Sequence, residues 1–177
     1  VDLRLTNEPD GQVYLEHGLR SVPFTEVVDD IGAFANEHPR EVLVIYVQGI
    51  KNFTAETHAA VIAQMDAAFG TRMAPRALGT SATLQDLWAA DRNVIVVYNN
   101  SAVVAADPEL WPDDTLYRPW PQVASVPDLL AGNETNLANR PPDAIWGMFG
   151  ESTPSPLNYV TGALTLSTRN IEQFMFN

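Results

Sequence analysis

Cysteine is absent from this 177-residue sequence. Disulfides, thiolate nucleophiles and thiolate metal sites are therefore excluded. Lysine is nearly absent: Lys51 is the one lysine against nine arginines, and the formal net charge is −12. A nucleic-acid scaffold needs a basic face, and strong attachment to anionic membranes needs a polybasic stretch, so this balance argues against both. Transient contact with lipid through apolar loops stays open. No apolar run approaches the roughly 18 residues of a membrane-spanning helix. No Gly-rich phosphate loop follows an apolar strand, which weakens a nucleotide-binding open sheet. The chain opens inside an element, with neither a signal peptide nor a start methionine, so an upstream segment is expected. The arginine and alanine bias points to a GC-rich bacterial source.

The apolar residues, 46% of the chain, are enough for one domain with a core. Val1 to Leu5 and Val13 to Glu16 read as strands around a Pro9-Asp10-Gly11 turn. Leu19 to Pro23 reads as a linker. A helix follows from Thr25, its cap, to His38, with Glu26, Asp29 and Asp30 near its positive end. Val27, Val28, Ile31, Phe34 and Ala35 form its apolar face. Val42 to Val47 and Val94 to Tyr98 are unbroken apolar runs, as in strands buried on both faces of a parallel sheet. Between them, a helix runs from Thr54 to Phe69, with Ile62, Met65 and Phe69 inward and Gly70 at its end. Thr83 to Asp86 has the pattern of a capping box and opens a short helix. Further on, Leu116 to Arg118 reads as a strand, Val126 to Leu130 as a short helix, Gly132 to Pro142 as a loop and Ala144 to Phe149 as a strand. The segment from Leu157 onward is ambiguous, with a helix expected over Arg169 to Phe176.

Strands that alternate with helices imply an α/β fold. The expected architecture is a (β/α) TIM-type barrel, truncated at both ends, forming one domain over residues 1–177. About six strands are expected, near residues 1–5, 13–16, 42–47, 94–98, 115–118 and 144–149. An open doubly wound sheet is the rival. In a barrel, function sits at the C-terminal strand ends. Those ends carry Arg4, His17, Gln48, Asn99, Arg118 with Trp120, and Glu151. Asp2 and Arg4, two apart, share one strand face. A carboxylate, a fixed cation and an imidazole at one rim point to an anionic, phosphate-bearing ligand. The plainer readings are a surface ion pair of Arg4 with Asp2 or Glu16, and a merely polar rim at Gln48, Asn99 and Arg118. Trp120 either walls a pocket or packs its own loop. Trp111-Pro112 reads as loop packing, and Asp113-Asp114 as a solvated turn.

The order Asp2-Leu3-Arg4, His17-Gly18, a helix, His38-Pro39-Arg40-Glu41 and a buried strand resembles the X-domain of phosphatidylinositol-specific phospholipase C. Thr83-Leu84, Leu87-Trp88 and the strand Val94 to Tyr98 also fit. The resemblance covers roughly the first hundred residues well. It implies a distorted α/β barrel that cleaves a phospholipid phosphodiester by intramolecular attack, giving a cyclic phosphate. It also implies that His17 is the general acid, that Arg4 clamps the phosphate oxygens, and that Asp2 orients Arg4 or a nearby hydroxyl. Gln48, Asn99, Arg118 and Trp120 would contact the head group. Arg4 stands where calcium-dependent relatives place an acid, which implies the metal-independent, bacterial type, without cofactor or metal. A secreted or cell-surface location is expected.

Two departures matter. The family's His-(Asp/Asn)-Ser segment, which supplies the general base, is absent, and neither His38 nor His58 is placed to replace it. The chain as given is therefore expected to be inactive alone. The bacterial enzymes carry Lys where Gln48 falls and Arg near Asn99, which leaves the head group open. The alternatives are a metal-dependent glycerophosphodiester or sphingomyelinase D-like barrel, and a non-catalytic binding barrel.

Overall fold

The computed structural model describes residues 1–153. The segment from Leu157 onward, with the helix expected over Arg169 to Phe176, lies outside the described residues. The chain divides into two compact units, Val1–Thr115 and the part from Leu116 onward.

The first unit holds a six-stranded sheet in the order β3-β2-β1-β4-β5-β6. Its strands are β1 (Asp2–Asn7), β2 (Val13–His17), β3 (Leu19–Pro23), β4 (Leu43–Lys51), β5 (Val94–Tyr98) and β6 (Leu110–Trp111). β1, β4, β5 and β6 run parallel, while β1, β2 and β3 form an antiparallel meander. Two expectations are corrected here. The strands are not all parallel, because the turn between Asn7 and Val13 is far too short for a parallel crossover. The supposed linker Leu19 to Pro23 is β3, turned back by Gly18 at φ 76°. Among the described residues, β3 and β6 remain edges and the sheet does not close on itself.

Helices α1 (Phe24–Glu37) and α2 (Ala55–Phe69) cover one face of this sheet. Strand alternation decides what they cover. Leu3, Leu5, Ile45, Val47, Val94, Val96 and Tyr98 point to the helices and form the core with Phe24, Val28, Val61, Met65 and Phe69. Each such side chain contributes about 1.5–3 kcal/mol on burial. Thr54 caps α2 in a reciprocal box with Thr57, as expected of its position. α1 differs from the reading: it starts at Phe24, its N-cap is Pro23, and Thr25 caps nothing. Phe34 lies outside the apolar face and is 43% exposed. Buried Asn93 ties the end of α1 to the sheet, donating to the carbonyls of Ala35, His38 and Glu41.

Thr83 and Asp86 form the expected box at the start of α3 (Leu84–Ala89). Two elements in the region taken as a loop were not foreseen: α4 (Ser101–Ala106), capped by Asn100, and β6. Trp111 is therefore a buried strand residue, with its indole N–H on the Ala74 carbonyl 2.7 Å away, rather than loop packing.

The second unit holds β7 (Leu116–Tyr117), α5 (Val126–Ala138) and β8 (Ile145–Trp146), with β7 and β8 parallel. α5 continues through residues read as a loop. Gly132 is tolerated within it because the helix presses on Pro121, where a Cβ would come within 2.9 Å. The strand expected over Ala144 to Phe149 is reduced to Ile145–Trp146.

Candidate active site

The other face of the main sheet carries the polar groups. Asp2 and Arg4 alternate with Leu3 on β1, and Tyr46 and Gln48 alternate with Val47 on β4. Parallel pairing sets Asp2 beside Tyr46 and Arg4 beside Gln48. The Arg4 guanidinium donates to Asp2 Oδ2 at 3.4 Å, and the Gln48 amide donates to Asp2 Oδ1 at 2.6 Å. Asp2 thus bridges the two strands and orients both neighbours. Arg4 pairs with Asp2 and not with Glu16, whose partner is Lys51.

A bulge in β4 shapes this corner. Arg4 faces Gln48 but Thr6 faces Lys51, so β4 carries one residue more than β1 there. Gly49 takes the left-handed conformation, φ 58°, that the bulge requires. It also lies under the Arg4 stem, and a Cβ at Gly49 would meet three Arg4 side-chain carbons at 3.4–3.6 Å. That is ordinary van der Waals contact, so the positive φ rather than lack of space is what favours glycine there.

The antiparallel hairpin returns the end of β2, which His17 closes, toward the start of β1. Leu5 pairs with Leu15, and His17 lies two residues further along β2, at the level of Leu3 but beyond the last pair that β1 and β2 form. The expectation that all site residues sit at C-terminal ends of parallel strands is therefore corrected. Asp2 and Arg4 lie at the start of β1, which is shifted so that Arg4 is level with Gln48 near the end of β4. The His17 side chain is exposed and makes no hydrogen bond or ion pair with the described residues.

Asn99 follows the end of β5 and donates to the Tyr46 hydroxyl at 3.3 Å. Tyr46 in turn donates to Asp113, in the turn after β6. Asp113 is therefore more than a solvated turn residue. Tyr46 was missed as a site residue because its strand reads as continuous core. The alternation between Ile45, Tyr46, Val47 and Gln48 was the signal that could have found it.

Arg118 and Trp120 belong to the second unit. Trp120 stacks on Phe149 with ring centroids 5.7 Å apart and is 41% exposed. Glu151 is exposed in the same unit. The other two histidines are committed elsewhere. His38 follows α1 and packs at a tilt against the Phe34 ring, with centroids 4.4 Å apart. His58, on the helix side of the sheet, contacts the Tyr98 hydroxyl through Nδ1 at 2.7 Å and the Asn100 amide through Nε2 at 3.3 Å. Burial lowers the His58 pKa and raises that of Tyr98 far above its ordinary value. Among the described residues no group of three His, Cys, Asp or Glu side chains could hold a metal ion.

An Asp-x-Arg strand is thus followed by a strand ending in histidine, toward one edge of an α/β sheet. No family model matches the chain. Its sequence is 28% identical over 144 residues to PI-PLC X domain-containing protein 2 of Mus musculus, covering 80% of this chain and 42% of that protein. It is 27% identical over 142 residues to PI-PLC X domain-containing protein 3 of Homo sapiens, covering 78% of this chain and 44% of that one. The chain thus spans less than half the length of these curated relatives. Among solved structures, it resembles phosphatidylinositol-specific phospholipase C from Listeria monocytogenes, with a TM-score of 0.60 and 16% identity, covering 98% of this chain and 65% of that one. The corresponding S. aureus enzyme gives a TM-score of 0.58 at 14% identity, covering 96% and 63%. The resemblance read from Asp2, Arg4 and His17 is therefore borne out, and the fold is that of the phospholipase C-like α/β barrels.

Proposed function

We propose that the protein containing this chain cleaves a phospholipid phosphodiester, with the phosphoryl group on Arg4 and His17 beside it. The observation that carries this reading is the Asp2–Arg4–Gln48 cluster, at the level to which the hairpin returns His17. Arg4 offers a planar fork that can pair two non-bridging oxygens at once. Its fixed charge offsets the charge that grows on them as phosphorus is attacked. A head-group hydroxyl forms the new bond to phosphorus, the bond to the diacylglycerol oxygen breaks, and His17 gives that leaving oxygen its proton. The product is a cyclic phosphate. Asp2 keeps Arg4 aimed, and Gln48 keeps Asp2 in place.

Arg4 also supports the metal-independent form of the reaction. A guanidinium bonded to Asp2 occupies the carboxylate that a divalent ion would need, and adds a positive charge where that ion would sit. Among the described residues no second histidine shares the rim, so the base that removes the hydroxyl proton is assigned to a residue outside them. Trp120, with Phe149 beneath it and Met148 49% exposed nearby in sequence, offers an apolar surface for transient contact with lipid. The reading carries with it a secreted or cell-surface location.

The test is an assay of the full-length protein and its His17→Ala variant on phosphatidylinositol vesicles, with phosphorus NMR to detect the cyclic product. A cyclic product from the wild type, insensitive to chelator and lost in His17→Ala, is expected. An equal rate in His17→Ala would remove His17 from the mechanism, and activity abolished by chelator would overturn the metal-independent reading.

A further inference from the structure

Tyr46 has no task in the cleavage chemistry, yet it organises half of the rim. It is 4% exposed, and its hydroxyl joins two exposed side chains, Asp113 and Asn99. Chemistry fixes the direction of both bonds. A carboxylate accepts, so the single hydroxyl proton goes to Asp113. The hydroxyl oxygen is left to accept from Asn99, which turns the Asn99 NH2 toward Tyr46 and its Oδ1 away. One buried hydroxyl therefore aims two acceptors outward, the Asn99 carbonyl and the second Asp113 oxygen.

The β1 side of the rim has the opposite polarity. Arg4 offers donors, and both Asp2 oxygens are already taken by Arg4 and Gln48. Arg4 is level with Gln48, and Val47 pairs with Tyr98, so Asn99 follows at the same level two strands from Arg4. At about 4.8 Å per strand that is roughly 10 Å, the span of a ring-sized head group. We infer that Tyr46 is a positioning residue that sets specificity: it holds an acceptor pair that selects head groups bearing hydrogen-bond donors, when their phosphate lies on Arg4. This rests on the phosphoryl reading of Arg4.

The experiment is calorimetric binding of two probes to the full-length protein. Inositol 1-phosphate carries a phosphate and hydroxyl donors. Phosphocholine carries a phosphate and a quaternary ammonium with no donor. Tyr46→Phe should weaken inositol 1-phosphate about tenfold and leave phosphocholine unchanged. Asp113→Asn, at an exposed position, should show the same selective loss even if Tyr46→Phe folds poorly. The double variant should lose no more than Asp113→Asn alone, because both act through one bond. Equal loss for both probes, or no loss for either, overturns the inference and leaves the phosphate on Arg4. Wild-type protein that binds neither probe overturns the cleavage reading, and the inference with it.

Discussion

Asn99 and Asn100 are neighbours in sequence and serve opposite sides of one sheet. Asn99 meets Tyr46 and, through it, Asp113, at an open rim. Asn100 meets His58, which meets Tyr98, between α2 and α4. The parts are similar: a tyrosine hydroxyl, an asparagine amide and a titratable group. The surroundings differ. On the rim, Asn99 and Asp113 are exposed and keep acceptors free for a ligand. On the helix side, both Asn100 groups are used, since its Oδ1 accepts the Val103 N–H at 3.1 Å and caps α4. The period of two along β5 is what separates them. The difference teaches that alternation decides whether a polar residue at a strand end keeps an acceptor open at the rim or spends it inside the helix layer.

The largest expected effect falls on the open side. In the full-length protein, Arg4→Ala should lower kcat/KM on phosphatidylinositol by about 10²–10³-fold, the usual cost of one preorganised donor to developing charge. Arg4 is a partly exposed strand residue paired only across the surface, so its loss should leave thermal stability nearly unchanged. Matched steady-state kinetics and thermal melts check both halves. A stability loss as large as the kinetic one would make the rim structural and erase the contrast.

How much of this contrast the sequence displayed follows from where its signals are local. The pairing of Asp2 with Arg4 on one strand face, and His17 at the end of the next strand, were legible because their spacing needs no knowledge of the fold. The capping residues Thr54 and Thr83, and the buried runs of β4 and β5, were legible for the same reason. β3 was not, because Leu19 to Pro23 has neither clean alternation nor burial: all but Pro23 are exposed. Strand direction was hidden as well. Parallel units were inferred from apolar runs, although the short Pro9-Gly11 turn could only join antiparallel neighbours. α4 and β6 are six and two residues long, too short for periodicity to show. Tyr46 was masked by the apolar residues around it, since only the assembled sheet reveals which side of β4 faces polar neighbours.

The closed side is expected to respond in stability instead. Asn100→Ala removes the cap of α4 and the partner of His58 together. It should cost about 1–2 kcal/mol, in the usual range for losing an N-cap, and leave the affinity for inositol 1-phosphate unaltered. Asn99→Ala should do the reverse, weakening that ligand with little loss of stability. Denaturant unfolding and calorimetry on both variants form the check. Matching profiles would mean that the two asparagines are not on different sides in function.

A smaller effect concerns pH. Because Asn100 Oδ1 is held by Val103, its NH2 faces His58 Nε2, which must then carry a lone pair. The ring is neutral, with its proton on Nδ1 donated to Tyr98. Burial lowers the His58 pKa accordingly. In the unfolded chain the ring takes up a proton from about pH 6.5 downward, while the folded protein resists until lower pH. Stability from this group is therefore present above about pH 6.5 and lost as pH falls toward the folded value. Asp66 and Asp107 line the same α2–α4 groove as His58, so the comparison is made against His58→Gln, which keeps them. The melting temperature of the wild type should fall more steeply between pH 7 and 5 than that of the variant. Equal slopes, or an NMR titration of His58 centred at or above 6.5, would remove the tautomer assignment.

The smallest effect lies at the far end of that groove and has the opposite sign. Burial, and then the Asp107 charge, raise the Asp66 pKa. The fold thus favours protonated Asp66, and its contribution is present below the unfolded value near 3.8 and lost as pH rises through the folded one. At pH 7 the ionised carboxylate weakens the fold. Asp66→Asn removes that charge and should raise the melting temperature at pH 7 by about 1 °C, since solvent screens a site this exposed. At pH 4 the gain should shrink, as the wild-type group takes up its proton. His58 and Asp66 lie on one helix, yet acidification should weaken the fold through the first and relieve it through the second. Melts of Asp66→Asn at both pH values separate the two contributions. A gain that is the same at both would show that packing, not charge, is what the substitution changes.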